Sequence, residues 1–137
     1  MSGELAHPPK ARSGDRVAIV CPSWAAPEAF PAVHAQAMQR LIEITGLIPV
    51  EYPTTRHGST PEERARDLNE AFGDPDIRAV LAVIGGEDQI TVIPHLDPRL
   101  VRADPKPFLG YSDNTNLLNW LWCHGVAGFH GLSLIHI

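Results

Sequence analysis

The residues best equipped for chemistry are Gly110-Tyr111-Ser112-Asp113. A serine hydroxyl becomes a nucleophile when a base takes its proton, and its attack on a carbonyl needs N–H donors for the oxyanion that forms. The apolar run Pro107-Phe108-Leu109 leads into these four residues, and a helical stretch from Asn114 to His124 leaves them. A serine on so sharp a strand-to-helix turn stands clear of the sheet, beside the unpaired N–H groups that open a helix. That is the arrangement of a nucleophile elbow. An ordinary turn with Asp113 as helix cap fits the same residues. The stretch also departs from the hydrolase pattern GxSxG, because Asn114 stands where the last glycine would be.

The elements that must position this turn follow from apolar spacing and punctuation. Arg16–Cys21 is short, β-branched and ended by Pro22, as a buried strand should be. From Glu28 to Ile44, apolar Phe30, Val33, Ala37, Leu41 and Ile44 recur at helical spacing, with Gly46 placed as C-terminal cap. Leu47–Tyr52 is a second strand, and its internal Pro49 assigns it to a sheet edge. Thr60, Pro61 and Glu63 spell a capping box for a helix with Ala65, Leu68 and Phe72 on one face and Gly73 at its end. Ala79–Ile84 is apolar throughout, a strand covered on both faces, and it runs into Gly85-Gly86. A short helix is expected around Gln89–His95, a fourth strand leading to Ser112, and a fifth strand beginning over Val126–Phe129. This alternation predicts an α/β fold: a mostly parallel five-stranded sheet with helices on both faces.

In such sheets, ligands sit beyond the carboxyl ends of the strands. Three loops leave at that edge: Cys21-Pro22-Ser23-Trp24, Gly85-Gly86-Glu87-Asp88 and Tyr111-Ser112-Asp113. Glycines there allow close approach to backbone N–H groups, as an oxyanion hole requires, although a glycine pair after a strand also serves as a plain tight turn. Glu87 and Asp88 suit a cationic substrate amine better than acid–base chemistry, and Ser23 is a further candidate for substrate binding. Neither GxGxxG nor a P-loop pattern is present.

Composition excludes other classes. A net charge of −5, with scattered Lys and Arg, disfavours nucleic acid and anionic membrane as partners. No apolar run approaches the ~18–20 residues of a membrane helix, and the first residues lack the apolar core of a signal peptide. Cys21 and Cys123 have no ligand-like spacing and are expected to be reduced, buried thiols of a cytoplasmic protein. Residues 1–13 are expected to be a loose leader and 14–131 the α/β domain.

Three stretches together resemble the LD-carboxypeptidase family of serine peptidases, including its microcin C immunity branch. The first is Gly14-Asp15-Arg16-Val17-Ala18-Ile19-Val20 with Pro22-Ser23. The second is Glu63-Arg64-Ala65-Arg66-Asp67-Leu68-Asn69 with Ala71-Phe72. The third, Ile84-Gly85-Gly86, leads through Pro94-His95-Leu96-Asp97 to the run from Lys106 to Thr115 that contains Ser112. Order and spacing agree from about residue 13 to 131, and Gly86-Glu87-Asp88-Gln89 is closer to the immunity branch than to the murein-recycling branch. The resemblance implies a flavodoxin-like N-terminal domain with Ser112 as nucleophile. It implies an oxyanion hole from the backbone N–H groups of Asp113 and of the Gly85-Gly86 turn, Gly86 foremost. It implies cleavage of an amide beside a free carboxylate, in murein tetrapeptides or microcin-like peptidyl-nucleotides, with neither metal nor cofactor.

In that family a Glu and a His from a C-terminal domain complete the triad, whereas only 25 residues follow Ser112 here. Residues 132–137 leave the family pattern and are expected to be a truncated or foreign tail. The fragment is therefore expected to be inactive alone and to self-associate through uncovered apolar surface. Among seven histidines, His34, His57, His95, His124 and His130 are the candidates for a local base. Packing or surface roles suit them better, since nothing in the spacing brings one within ~3 Å of the serine hydroxyl. Trp24, Trp120 and Trp122 are expected to pack in the core or at its edge. A catalytically silent peptide- or nucleotide-binding module, and a regulatory domain using its helices for partner contacts, are the non-enzymatic alternatives.

Overall fold

The computed structural model of the chain describes residues 3–136. Strands β1 (Arg16–Val20), β2 (Ile48–Glu51), β3 (Ile77–Ala82), β4 (Phe108–Gly110) and β5 (Phe129–His130) form one sheet in the order β2-β1-β3-β4-β5. Every pairing is parallel. Pro49 lies opposite Val17 on the edge strand β2, where its missing N–H leaves no ladder bond unmade on a further neighbour.

The two-residue alternation of β1 divides its side chains between two cores. Ala18 and Val20 join Leu68 and Phe72 of α3 (Pro61–Gly73) and Leu117 and Leu121 of α5 (Thr115–Cys123). Val17 and Ile19 join Ala37, Met38 and Leu41 of α2 (Pro31–Thr45) on the opposite face. Helices thus cover both faces, and each fully buried Leu, Ile or Phe among them contributes about 1.5–3 kcal/mol. The helix ends follow their punctuation. Thr60 Oγ1 accepts the Glu63 N–H at 3.2 Å while the Glu63 carboxylate accepts the Thr60 N–H at 3.0 Å. Gly46 closes α2 with φ 70.

Several elements differ from expectation, each for a local reason. The helix expected over 28–44 is two, α1 (Ala26–Ala29) and α2, because a proline disfavours helical geometry in the residue before it and Phe30 leaves the helical region at φ −129, ψ 63. The short helix around Gln89–His95 is a pair of 3₁₀ turns, Gln89–Thr91 and Ile93–His95. A helix the sequence reading omitted, α4 (Pro98–Ala103), starts where the Asp97 carboxylate accepts the Arg99 N–H at 2.9 Å. The fifth strand begins at Phe129, since Val126 instead bridges to Ala6: the Ala6 N–H reaches Gly125 O at 2.8 Å and the Ala127 N–H reaches Ala6 O at 2.9 Å. The leader is therefore tied down at Ala6. Within the expected foreign tail, Leu134 is 2% exposed in the α2-side core, and the Ile135 N–H donates to Val83 O.

Cys21 is buried, its thiol donating to Thr55 O at 3.3 Å, and burial pushes it up to about 12. Cys123, expected buried, is exposed. Trp120 packs against the core, whereas Trp24 and Trp122 are 46% and 65% exposed. Among the described residues no helix is long and apolar enough to cross a membrane.

Candidate active site

β4 ends at Gly110, and the chain turns through Tyr111 into a 3₁₀ turn, Ser112–Asn114, that feeds α5. Ser112 is exposed and has φ 60, the only positive φ of a non-glycine residue among the described residues. A side chain in this region costs roughly 1–2 kcal/mol, so the surroundings must hold it there. Asn114 is the anchor. Fully buried, it donates from Nδ2 to Tyr111 O and Ile84 O, both at 3.2 Å, and accepts at Oδ1 from Gln89 Nε2 at 2.8 Å. Gly110 makes room for it: a Cβ there would lie 2.8 Å from Asn114 Cβ. The asparagine that breaks the hydrolase pattern thus fills the space its first glycine leaves.

The glycine turn after β3 lies against this serine. A Cβ on Gly85 would meet Ser112 Cβ at 3.1 Å, Ser112 Oγ at 3.2 Å and Asp113 N at 3.3 Å. A Cβ on Gly86 would sit 2.7 Å from Ser23 Cβ. Bare backbone is what lets the three loops touch. Among the described residues the N–H groups of Gly86 and Asp113 donate to no protein acceptor, and the α5 N-terminus adds positive potential beside them. Asp113 does not cap the helix. Its carboxylate accepts the Gln89 N–H at 2.9 Å and Asn116 Nδ2 at 3.0 Å.

The other expected residues gather at the rim. Ser23, 8% exposed, accepts at Oγ from Gln89 Nε2 at 3.2 Å. It lines a hollow of about 340 Å³ together with Trp24, Gly86, Glu87 and Asp88. Both Asp88 oxygens are taken by the fork of the buried Arg64, at 2.9 and 3.1 Å, and these hydrogen bonds hold Asp88 below the usual carboxylate range. Arg64 also donates to Ser23 O at 2.6 Å. Glu87 is exposed and joins no ion pair among the described residues, so of the two acids it is the one open to a ligand. The larger hollows, of about 590 and 670 Å³, lie elsewhere, by Ser13 and by Trp122.

No local base completes the turn: among the described residues no side chain hydrogen-bonds the Ser112 hydroxyl. His130 and His136 pack on Tyr111 with ring centroids 6.2 and 5.7 Å away. His34 is buried with Nε2 2.7 Å from Glu51 Oε1, His95 pairs with Glu62, and His124 accepts from Arg102. His57 lines, with Arg64, a hollow of about 170 Å³ that shares Ser23, Trp24 and Asp88 with the one at the rim. Sequence reasoning overlooked Gln89, Asn114 and Arg64 as organisers of the site. The partners through which they join the loops lie 24 to 66 residues away, so no local spacing announces them.

Comparison with known proteins identifies the family. The model of the LD-carboxypeptidase N-terminal domain matches residues 17–131. The murein tetrapeptide carboxypeptidase of Pseudomonas aeruginosa is 35% identical over 125 residues, 85% of this chain and 38% of that protein. The microcin C7 self-immunity protein MccF of Escherichia coli is 39% identical over 77 residues, 56% of this chain and 22% of that protein. An MccF-like structure from Bacillus anthracis superimposes with a TM-score of 0.90 at 28% identity, over 96% of this chain and 41% of its own. Wild-type MccF without ligand gives 0.88 at 28% identity, over 97% and 41%. A further MccF structure is of an active-site mutant with a serine, an asparagine and a lysine replaced by alanine. This chain spans about two fifths of the length of such relatives. With a match that runs from β1 to the end of β5, it belongs to the LD-carboxypeptidase family, in the part that forms the N-terminal domain.

Proposed function

We propose that this chain supplies the nucleophile-bearing domain of a serine carboxypeptidase that cleaves an amide beside a free carboxylate in a small peptide-like substrate. The observation that carries the reading is Ser112, exposed at φ 60 at the carboxyl edge of β4, with Gly85 packed against it. Ser112 Oγ attacks the amide carbonyl. The oxyanion takes N–H bonds from Gly86 and Asp113, helped by the α5 N-terminus. The serine proton passes to a histidine oriented by a glutamate, both from the C-terminal domain of the parent chain, and then to the leaving amine. Glu87 offers its carboxylate to a substrate amine at the rim.

The substrate is a murein tetrapeptide or a peptidyl-nucleotide conjugate. One relative is named for the first, and MccF has been solved with aspartyl sulfamoyl adenosine. Incubating the full-length parent with each substrate tests the reading. Release of the carboxyl-terminal group from either one, lost by on the order of 10³-fold or more in Ser112→Ala, is the expected result. Equal turnover by Ser112→Ala contradicts it. MccF structures solved with adenosine monophosphate and with aspartyl sulfamoyl adenosine fit a second reading as well, a binding module without turnover. Saturable binding by the full-length parent with no product would establish that alternative.

A further inference from the structure

We propose that Gln89 is a positioning residue that fixes the serine turn against the glycine turn and the Ser23 loop. The inference rests on the reading of Ser112 as nucleophile and goes beyond it. Gln89 is 0% exposed, although its amide carries two donors and an acceptor. Nε2 donates to Asn114 Oδ1 at 2.8 Å and to Ser23 Oγ at 3.2 Å. Oε1 accepts the Leu117 N–H at 2.9 Å, and the Gln89 N–H donates to Asp113 Oδ2 at 2.9 Å. One residue of the β3 loop thereby grips the β1 loop, the strained turn and the first turn of α5.

The bond to Leu117 has a particular consequence. α5 receives no side-chain cap from Asn114, its own N-cap residue, and among the described residues the Leu117 N–H, one of its orphan donors, is satisfied by Gln89. The helix whose N-terminus flanks Ser112 is therefore capped from the loop that carries Gly86. Displacing Gln89 lets the two sets of oxyanion donors move apart, whereas Arg64 still holds Ser23 O and Asp88 at the rim of the hollow that Trp24 and Glu87 line. Misplacement by ~1 Å at a reacting centre can cost about 100-fold in rate.

Only an amide performs both tasks. A glutamate at this position would still accept from Leu117, but when ionised it could not donate to Asn114 Oδ1 and would set a second oxygen against it. Protonation restores a donor, and burial raises the pH at which it occurs.

The test uses the full-length parent and its carboxypeptidase turnover. Gln89→Glu is expected to lower kcat about 100-fold at pH 8 with KM within about threefold, the loss shrinking relative to wild type as pH falls. Gln89→Met keeps the volume and adds no charge, so it carries the test if the buried carboxylate prevents folding. It should show the same loss at every pH. A folded Gln89→Glu or Gln89→Met with kcat within about threefold of wild type would overturn the proposal, as would a Gln89→Glu deficit that does not change with pH. Ser112→Ala, run beside them, separates the two ideas: if it keeps wild-type turnover the nucleophile reading fails, whatever Gln89 does.

Discussion

Ser112 occupies a backbone region that its own Cβ disfavours, and the neighbours that hold it there are the same ones that shape the site. Ser112→Gly should raise unfolding free energy by about 1 kcal/mol in urea titration of the isolated chain while removing the hydroxyl. Unchanged or lower stability would show that the turn carries no strain. At Gly85 the opposite applies. Gly85→Ala must push against Ser112 Cβ at 3.1 Å and Asp113 N at 3.3 Å. It should cost about 1–3 kcal/mol of stability and about 100-fold in turnover of the parent. A Gly85→Ala parent with full activity would disconnect the glycine turn from the chemistry. The serine and the two glycines were legible in sequence because each does its work through local backbone. Gln89 and Arg64 were not, because their roles exist only once loops from β1, β3 and β4 meet.

Elements announced by local punctuation came through best. The Thr60–Glu63 box, the Gly46 cap and the edge position required by Pro49 are each decided within a few residues. The omitted α4 had the same kind of signal, Asp97 followed by Pro98 at its first position, inside a stretch read only for its family resemblance. The shortened β5 was illegible for another reason, since only the folded chain brings Ala6 to Val126. One element-scale bond invites measurement. Lys106 lies just before β4, fully buried, and its Nζ donates to Ala71 O and Phe72 O at 2.9 Å and to Asp74 O at 2.5 Å. It closes the C-terminal end of α3, and burial lowers its pKa. Lys106→Met leaves those carbonyls unpaired and should cost about 1–3 kcal/mol, read by urea unfolding. A variant as stable as wild type would mean the carbonyls find other partners.

At the scale of the molecule, acid stability follows from three carboxylates. Arg64 holds Asp88, and Arg78 holds Asp104, below the ordinary 3.8. Burial raises Glu51, but hydrogen bonds from Arg56 and His34 outweigh it and leave Glu51 below 4.5. With folded values depressed, the unfolded chain binds protons first on acidification. The stabilisation is therefore complete above about pH 5 and lost as pH falls below about 4.5. The urea midpoint should stay level from about pH 7 to 5 and drop below that, and a midpoint that rose on acidification would contradict the assignment. Exposed Trp122, Phe129 and Leu132, each more than half exposed, should make the isolated chain self-associate, seen as a mass that grows with concentration in sedimentation. A monomer at every concentration would refute that. Since no described side chain activates Ser112, the isolated chain should also turn over substrate several orders of magnitude more slowly than its parent.

The most direct test of the central claim is covalent. The full-length parent is incubated with a fluorophosphonate probe, digested and mapped by mass spectrometry. The account predicts an adduct on the peptide containing Ser112, absent in Ser112→Ala. An active parent that is left unlabelled at Ser112, or labelled at another serine, would contradict it.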